Sequence, residues 1–133
     1  MKLCVEKGIT SFKIYMNLGG DIGHVYMDMN PNESRLIESK VDMNNQIVEK
    51  IVKEASSLNC PVLVHAEDYQ ECDCGIKTAK QKNQDGLNAW SQSRSPDSEA
   101  KSIKTICDYC RKYDSVVYFV HLGSASALEQ ISE

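Results

Sequence analysis

Long apolar runs are missing from this sequence of 133 residues, and none approaches the roughly 18 residues that a membrane span needs. Positive charge is also short. Fifteen Lys and Arg stand against 19 Asp and Glu, a formal net charge of -4, which leaves no electrostatic footprint for nucleic acid. The first residues, MKLCVEKGITSFKIYM, hold no uninterrupted apolar stretch of the kind a secretory signal needs, so the cytosol is the expected compartment. Gly19, Gly20 and Asp21 do not make a phosphate loop, because no GxxxxGK pattern accompanies them. Internal repeats and low-complexity tracts are absent as well. What remains, 41% hydrophobic and 26% charged residues over about one domain's length, is the composition of a globular segment.

Cysteine, by contrast, is abundant: Cys4, Cys60, Cys72, Cys74, Cys107 and Cys110. Without a secretory signal, disulfides are the weaker reading. Cys72 and Cys74 form a CxC pair and Cys107 and Cys110 a CxxC pair, and two such pairs invite a structural zinc site in a non-catalytic binding or scaffold protein. The alternative is that they are small buried hydrophobes. Cys107 and Cys110 fall on the apolar face of a segment that reads as helix, whereas structural zinc sites place such pairs on tight turns.

The chain reads as alternating strands and helices. Lys2 to Lys7 look like the end of a helix. Thr10 to Met16, TSFKIYM, is rich in β-branched and aromatic residues and reads as a strand. A loop with Gly19, Gly20, Gly23 and Pro31 is expected next. From about Asn44 to Leu58, Ile47, Val48, Ile51, Val52, Ala55 and Leu58 recur at helical spacing. PVLVHAED, Pro61 to Asp68, reads as a buried parallel strand. The polar stretch Tyr69 to Ser95 is expected to be loop with at most a short helix. Ser95 and Pro96 open a helix as N-cap and first residue, with Ala100, Ile103, Cys107 and Cys110 on its apolar face, running to about Tyr113. VVYFVH, Val116 to His121, is a third strand. A last helix follows Gly123 and Ser124, with Ser126 and Glu129 at the spacing of a capping box. Such alternation predicts an α/β fold, a parallel sheet with helical crossovers.

Three ionisable residues carry the chemistry. Lys13 lies within the first strand, His65 closes the second and His121 closes the third. In parallel α/β folds the carboxyl ends of the strands share one rim, where ligands gather. A lone histidine is more often structural, but two at equivalent strand ends become neighbours, and imidazole is the commonest metal ligand. Lys13, between Phe12 and Ile14, is costly to bury as a charge. Either it snorkels or pairs with a carboxylate, or burial lowers its pKa and leaves a neutral nucleophilic amine. Such an amine can take up carbon dioxide as a carbamate, an anion able to bridge two metal ions.

These residues resemble a known family. GITSFKIYM is similar to the lysine strand of the cyclic amidohydrolases (dihydroorotase, allantoinase, dihydropyrimidinase and hydantoinase). PVLVHAED resembles their first single-histidine metal strand. SRSPDSEAKSI resembles the SRPPEAEAxAI stretch before their next strand, and VYFVHLGSASALEQI resembles the metal strand that follows. The order of all four matches, from Gly8 to Ile131. The resemblance implies a partial (β/α)8 barrel, about strands four to six with their helices, as one unit over residues 1–133. It also implies a carboxylated Lys13 bridging two metals, usually zinc, with His65 and His121 binding one of them. Manganese and cobalt suit such ligands equally. A metal-bound hydroxide would then attack a cyclic amide carbonyl, as in dihydroorotate, allantoin or dihydropyrimidines. Family members commonly form homo-oligomers.

Two features of the family lie outside this sequence: the HxH pair of the first barrel strand and the aspartate of the eighth. A full barrel takes about 250 residues, so the segment alone is expected to be inactive. Where hydantoinase-like members carry an oxyanion-stabilising tyrosine five residues after the lysine, this chain has Leu18; Tyr15 and Tyr26 are the nearby tyrosines. The 52-residue step from Lys13 to His65 is also long. Both lean toward the allantoinase or dihydroorotase side. Further candidates to orient ligands or touch substrate are Glu67 and Asp68 after His65, Arg94 before the helix, and His24 in the Gly-rich loop.

Overall fold

The structure is a computed structural model that describes residues 1–19, 24–27, 37–40 and 41–132, with 24–27 and 37–40 described by their backbone alone. Three short parallel strands make the central sheet: β1 (Phe12–Tyr15), β4 (Val62–His65) and β5 (Val117–Phe119), in the order β1-β4-β5. Between β1 and β4 come β2 (His24–Met27), β3 (Ile37–Lys40) and helix α2 (Asn45–Ser57). Helices α3 (Tyr69–Gln81), α4 (Gly86–Gln92) and α5 (Pro96–Tyr113) lie between β4 and β5. Helices α1 (Lys2–Glu6) and α6 (Ala125–Ser132) flank the whole.

The two long crossover helices start where their sequences dictate. Asn44 caps α2 by accepting from the Ile47 N–H at 3.1 Å, and Ser95 caps α5 by accepting from the Ser98 N–H at 3.2 Å. Each satisfies a donor that the first helical turn leaves unpaired. Pro96 follows at the first position, where its missing N–H costs nothing. Helix α2 buries Val48, Val52 and Ala55, one stripe at helical spacing. Helix α5 buries Ser98, Ser102, Ile103 and Ile106. Both stripes meet one face of the sheet, where Ile14, Val62 and Val64 are buried with them.

Because side chains alternate along a strand, the ladder sets the other face residue by residue. Ile14 pairs with Val64 on the core side, whereas Lys13 pairs with Leu63, and Tyr15 with His65, on the opposite side. Leu63 in turn pairs with Tyr118. Tyr15 and Tyr118 are 47% and 63% exposed, so this second face is open among the described residues. Sheet edges β1 and β5 are open there too.

Four expectations need correction. The loop after the first strand contains an antiparallel hairpin, β2 with β3. Its HVYM strand carries β-branched and aromatic residues that the surrounding Gly and Asn obscure; Gly20, Gly23 and Pro31 lie outside the described residues. The polar stretch after His65 is mostly helix, α3 and α4. Its Lys, Gln, Glu and Ala are strong helix formers, and Asp68 caps α3 through the Glu71 N–H at 3.0 Å, but each helix buries a single residue, Cys72 in α3 and Ala89 in α4, so no apolar stripe announces them. The cap of α6 is Ser124, which accepts from the Ala127 N–H at 3.2 Å, not Ser126 with Glu129. Finally, Lys13 is exposed on the open face rather than buried between Phe12 and Ile14. Among the described residues, no helix is long and apolar enough to cross a membrane.

Candidate functional site

The carboxyl ends of β4 and β5 bring the two histidines together, as the topology predicts. His65 Nδ1 lies 3.0 Å from His121 Nε2, with ring centroids 4.7 Å apart. His65 ends β4 itself. His121 sits two residues beyond β5 with φ 40°, a left-handed conformation uncommon for a residue with a side chain and concentrated at functional sites.

The other nitrogen of His65 is spoken for. Nε2 lies 2.7 Å from Glu67 Oε2. In the neutral ring, a carboxylate at that distance favours the proton on Nε2 and leaves Nδ1, the nitrogen facing His121, with its lone pair. Asn17 Nδ2 donates to the same Glu67 oxygen at 2.8 Å and lies 3.2 Å from His65 Nε2. Arg94 Nε is 3.7 Å from that oxygen, with both side chains about one-fifth exposed. Burial raises the Glu67 carboxyl pKa, but the His65 hydrogen bond, the positive charge of Arg94 and the Asn17 amide together hold it below the usual carboxylate range. A cleft of about 220 Å³ opens beside these groups, lined by His65, Glu67, Trp90, Arg94, Glu99 and His121 among others.

Lys13 approaches from the same face. Tyr15 separates it from the histidine: Lys13 Nζ lies 4.8 Å from the Tyr15 ring centroid, and the Tyr15 and His65 rings are 5.4 Å apart. Desolvation lowers the Lys13 pKa.

This donor set suits a divalent cation. Two nitrogens each 2.0–2.1 Å from one tetrahedral ion stand about 3.4 Å apart, close to the 3.0 Å that separates Nδ1 and Nε2 here. With a proton on His121 Nε2 the rings share a hydrogen bond. Without it, two imidazole nitrogens free to bind a cation stand 3.0 Å apart. Glu67 stands where an outer carboxylate would hold a ligating imidazole in one tautomer. Among the described residues, no group of three or more His, Cys, Asp or Glu side chains is placed to hold a metal ion, so any further ligand has to come from elsewhere.

Other candidates separate. Arg94 and Glu67 join the histidines. Asp68 does not line the cleft: it caps α3 and pairs with Lys101 at 3.1 Å. The His24 side chain lies outside the described residues. The cysteines do not gather among the described residues: Cys107 and Cys110 are half-buried against the core along α5, Cys72 is buried beside Ser98 at 3.4 Å, and Cys74 is exposed. Sequence reasoning missed Tyr15, Asn17 and Trp90 as neighbours of the site. The first two follow Lys13 at the strand period of two, a signal present in the sequence. Trp90 had none, because its helix carries no apolar stripe.

No family model matches the chain. A D-hydantoinase of Geobacillus stearothermophilus is 26% identical over 132 residues, covering 99% of this chain and 24% of the relative. Among solved structures, a dihydropyrimidinase from Brevibacillus agri superposes with a TM-score of 0.75 at 21% identity, over 98% of this chain and 24% of that one. An L-hydantoinase (dihydropyrimidinase) from Arthrobacter aurescens gives 0.76 at 15% identity, over 98% and 25%. The chain thus spans about a quarter of the length of the relatives it matches. These relatives are hydantoinases and dihydropyrimidinases, so the lean toward allantoinase or dihydroorotase drawn from Leu18 finds no support among them.

Proposed function

We infer that this chain is a segment of the cyclic amidohydrolase family and supplies part of the metal-binding rim of an enzyme that hydrolyses cyclic amides. The observation that carries the reading is the 3.0 Å approach of His65 Nδ1 to His121 Nε2 at the ends of two adjacent parallel strands. His65 and His121 would hold a divalent ion through those nitrogens, and Lys13, as its carbamate, would add an anionic ligand. The neutral amine adds to carbon dioxide and releases one proton, and desolvation lowers the Lys13 pKa in that direction. When bound, the ions supply Lewis acidity toward an amide carbonyl and acidify water; zinc is the first candidate.

The protein's own part is orientation. Glu67 keeps the proton on His65 Nε2 and so keeps Nδ1 available. The open face of the sheet, with Lys13, Tyr15, Leu63 and Tyr118, becomes the inner wall of a barrel when further strands close it. Substrates are rings of the hydantoin and dihydropyrimidine type, which the names of the relatives indicate.

Metal titration tests this. The purified chain competes with a chromophoric chelator for zinc, alone and as His65→Ala and His121→Ala. Binding weakened more than about tenfold by each substitution supports the reading. Zinc affinity indifferent to both overturns it.

A further inference from the structure

Arg94 occupies an unusual place for an arginine between two helices. It is not extended into solvent. Its guanidinium lies 4.5 Å from the Trp90 ring centroid, in the range of a cation–π contact, and its Nε reaches back to Glu67. Its backbone is fixed on both sides. Arg94 N–H donates to the Ser91 carbonyl at 3.1 Å at the end of α4, and the next residue, Ser95, caps α5. The side chain therefore bridges α4 to the end of β4.

From this geometry we propose that Arg94 is a positioning residue, which acts through Glu67 to hold the His65 imidazole with its proton on Nε2 and its Nδ1 lone pair turned to His121. A run of contacts leads from Trp90 to Arg94 at 4.5 Å, from Arg94 to Glu67 at 3.7 Å, and from Glu67 to His65 at 2.7 Å. Glu67 has two lone-pair directions on Oε2 and several partners in reach. A free carboxylate could rotate away from the ring. The fixed positive charge on one side and the Asn17 amide on the other restrict it to the rotamer that meets Nε2. The pair is only about one-fifth exposed, so solvent screens it less than a surface pair. Stacking on Trp90 restricts the long Arg94 side chain before it meets Glu67. A lysine cannot reproduce both the planar stack on Trp90 and the delocalised charge held beside Glu67. The consequence for metal binding rests on the proposed function; the consequence for the His65 tautomer does not.

The experiment uses the 133-residue chain with ¹⁵N-labelled histidine. Two-bond ¹H–¹⁵N spectra report which ring nitrogen of His65 is protonated, without metal, and the chelator competition reports zinc affinity. In the unsubstituted chain His65 is expected as the Nε2–H tautomer. Arg94→Ala is expected to convert it to a mixture and to weaken zinc about tenfold, the low end of what losing an outer partner costs. Arg94→Lys recovers part of both. In a Glu67→Gln background, removing Arg94 changes neither readout further, because the effect runs through Glu67. An unchanged tautomer and unchanged zinc affinity in Arg94→Ala overturn the proposal. So does an undiminished effect of Arg94→Ala in the Glu67→Gln background. If Arg94→Ala does not fold, judged by far-UV circular dichroism, Arg94→Gln and Trp90→Phe carry the same comparison. If zinc binding ignores His65→Ala, the metal reading fails and the tautomer spectra still decide the role of Arg94.

Discussion

Gly75 and Ser93 meet backbone to backbone: a Cβ built on Gly75 would lie 2.7 Å from Ser93 Cα and 2.8 Å from its carbonyl oxygen. Helix α3 and the end of α4 approach this closely only because position 75 has no side chain. Gly75→Ala is therefore expected to push residue 93, and Arg94 with it, away from α3. The expected cost is about 1–3 kcal/mol, that of overpacking a site with no room. Urea denaturation measures it. A variant as stable as the original, despite alanine's better helix propensity, would show that the contact yields easily.

Ile103 and Leu87 make a second contrast. Ile103 is fully buried between α5 and the sheet, whereas Leu87 on α4 is 86% exposed. Ile103→Ala is expected to cost about 2–5 kcal/mol, and Leu87→Ala under about 0.5 kcal/mol. Equal losses in thermal or urea denaturation would contradict the placement of the core.

The six cysteines should divide by burial. Cys4 and Cys74 are exposed. Burial pushes the Cys110 thiol up to about 11, with the neighbouring Cys107 adding to it, and burial also raises Cys107 and Cys72. The thiolate is the reacting species. Alkylation at pH 8, followed by peptide mass spectrometry, is expected to mark Cys4 and Cys74 first and Cys110 only after unfolding. Cys110 modified as fast as Cys4 in the folded chain would refute this.

Helices α2 and α5 are tied by Glu49, whose carboxylate accepts from Lys112 Nζ and Tyr113 Oη, each at 2.7 Å. Those hydrogen bonds, Lys112 first, hold the Glu49 pKa below its ordinary value. A depressed carboxylate contributes stability that is present above its unfolded pKa of about 4.3 and disappears as pH falls through its lower folded value. Glu49→Gln should therefore lower stability near pH 6–7, and the difference should shrink toward zero near pH 3. A difference that persists undiminished in acid would point to packing rather than charge.

Ring opening by the chain alone is not expected. Lys13, His65 and His121 supply at most one carbamate and two imidazoles, and groups that act as a unit lose most of their effect when some are missing. Assays with dihydroorotate, allantoin and dihydrouracil in added zinc should show no turnover. Zinc-dependent turnover by a monodisperse monomer would mean a site built differently.

The local patterns along the chain determined a great deal by themselves. The apolar stripe of Val48, Val52 and Ala55, the caps Asn44 and Ser95, and the β-branched runs ending at Tyr15 and His65 are short-range signals, because propensity, capping and periodicity act within a few residues. They sufficed to predict the parallel order and, through it, the meeting of His65 with His121. Helix α4 and the relation of Trp90 and Arg94 to Glu67 came only from the tertiary structure. Those residues are polar or exposed, so no periodicity marks them, and a segment that buries little leaves a weak trace in its sequence. The state of Lys13 was likewise decided in three dimensions. Its apolar neighbours Phe12 and Ile14 point to the other face of the strand, and what surrounds the lysine depends on which face of the sheet is covered.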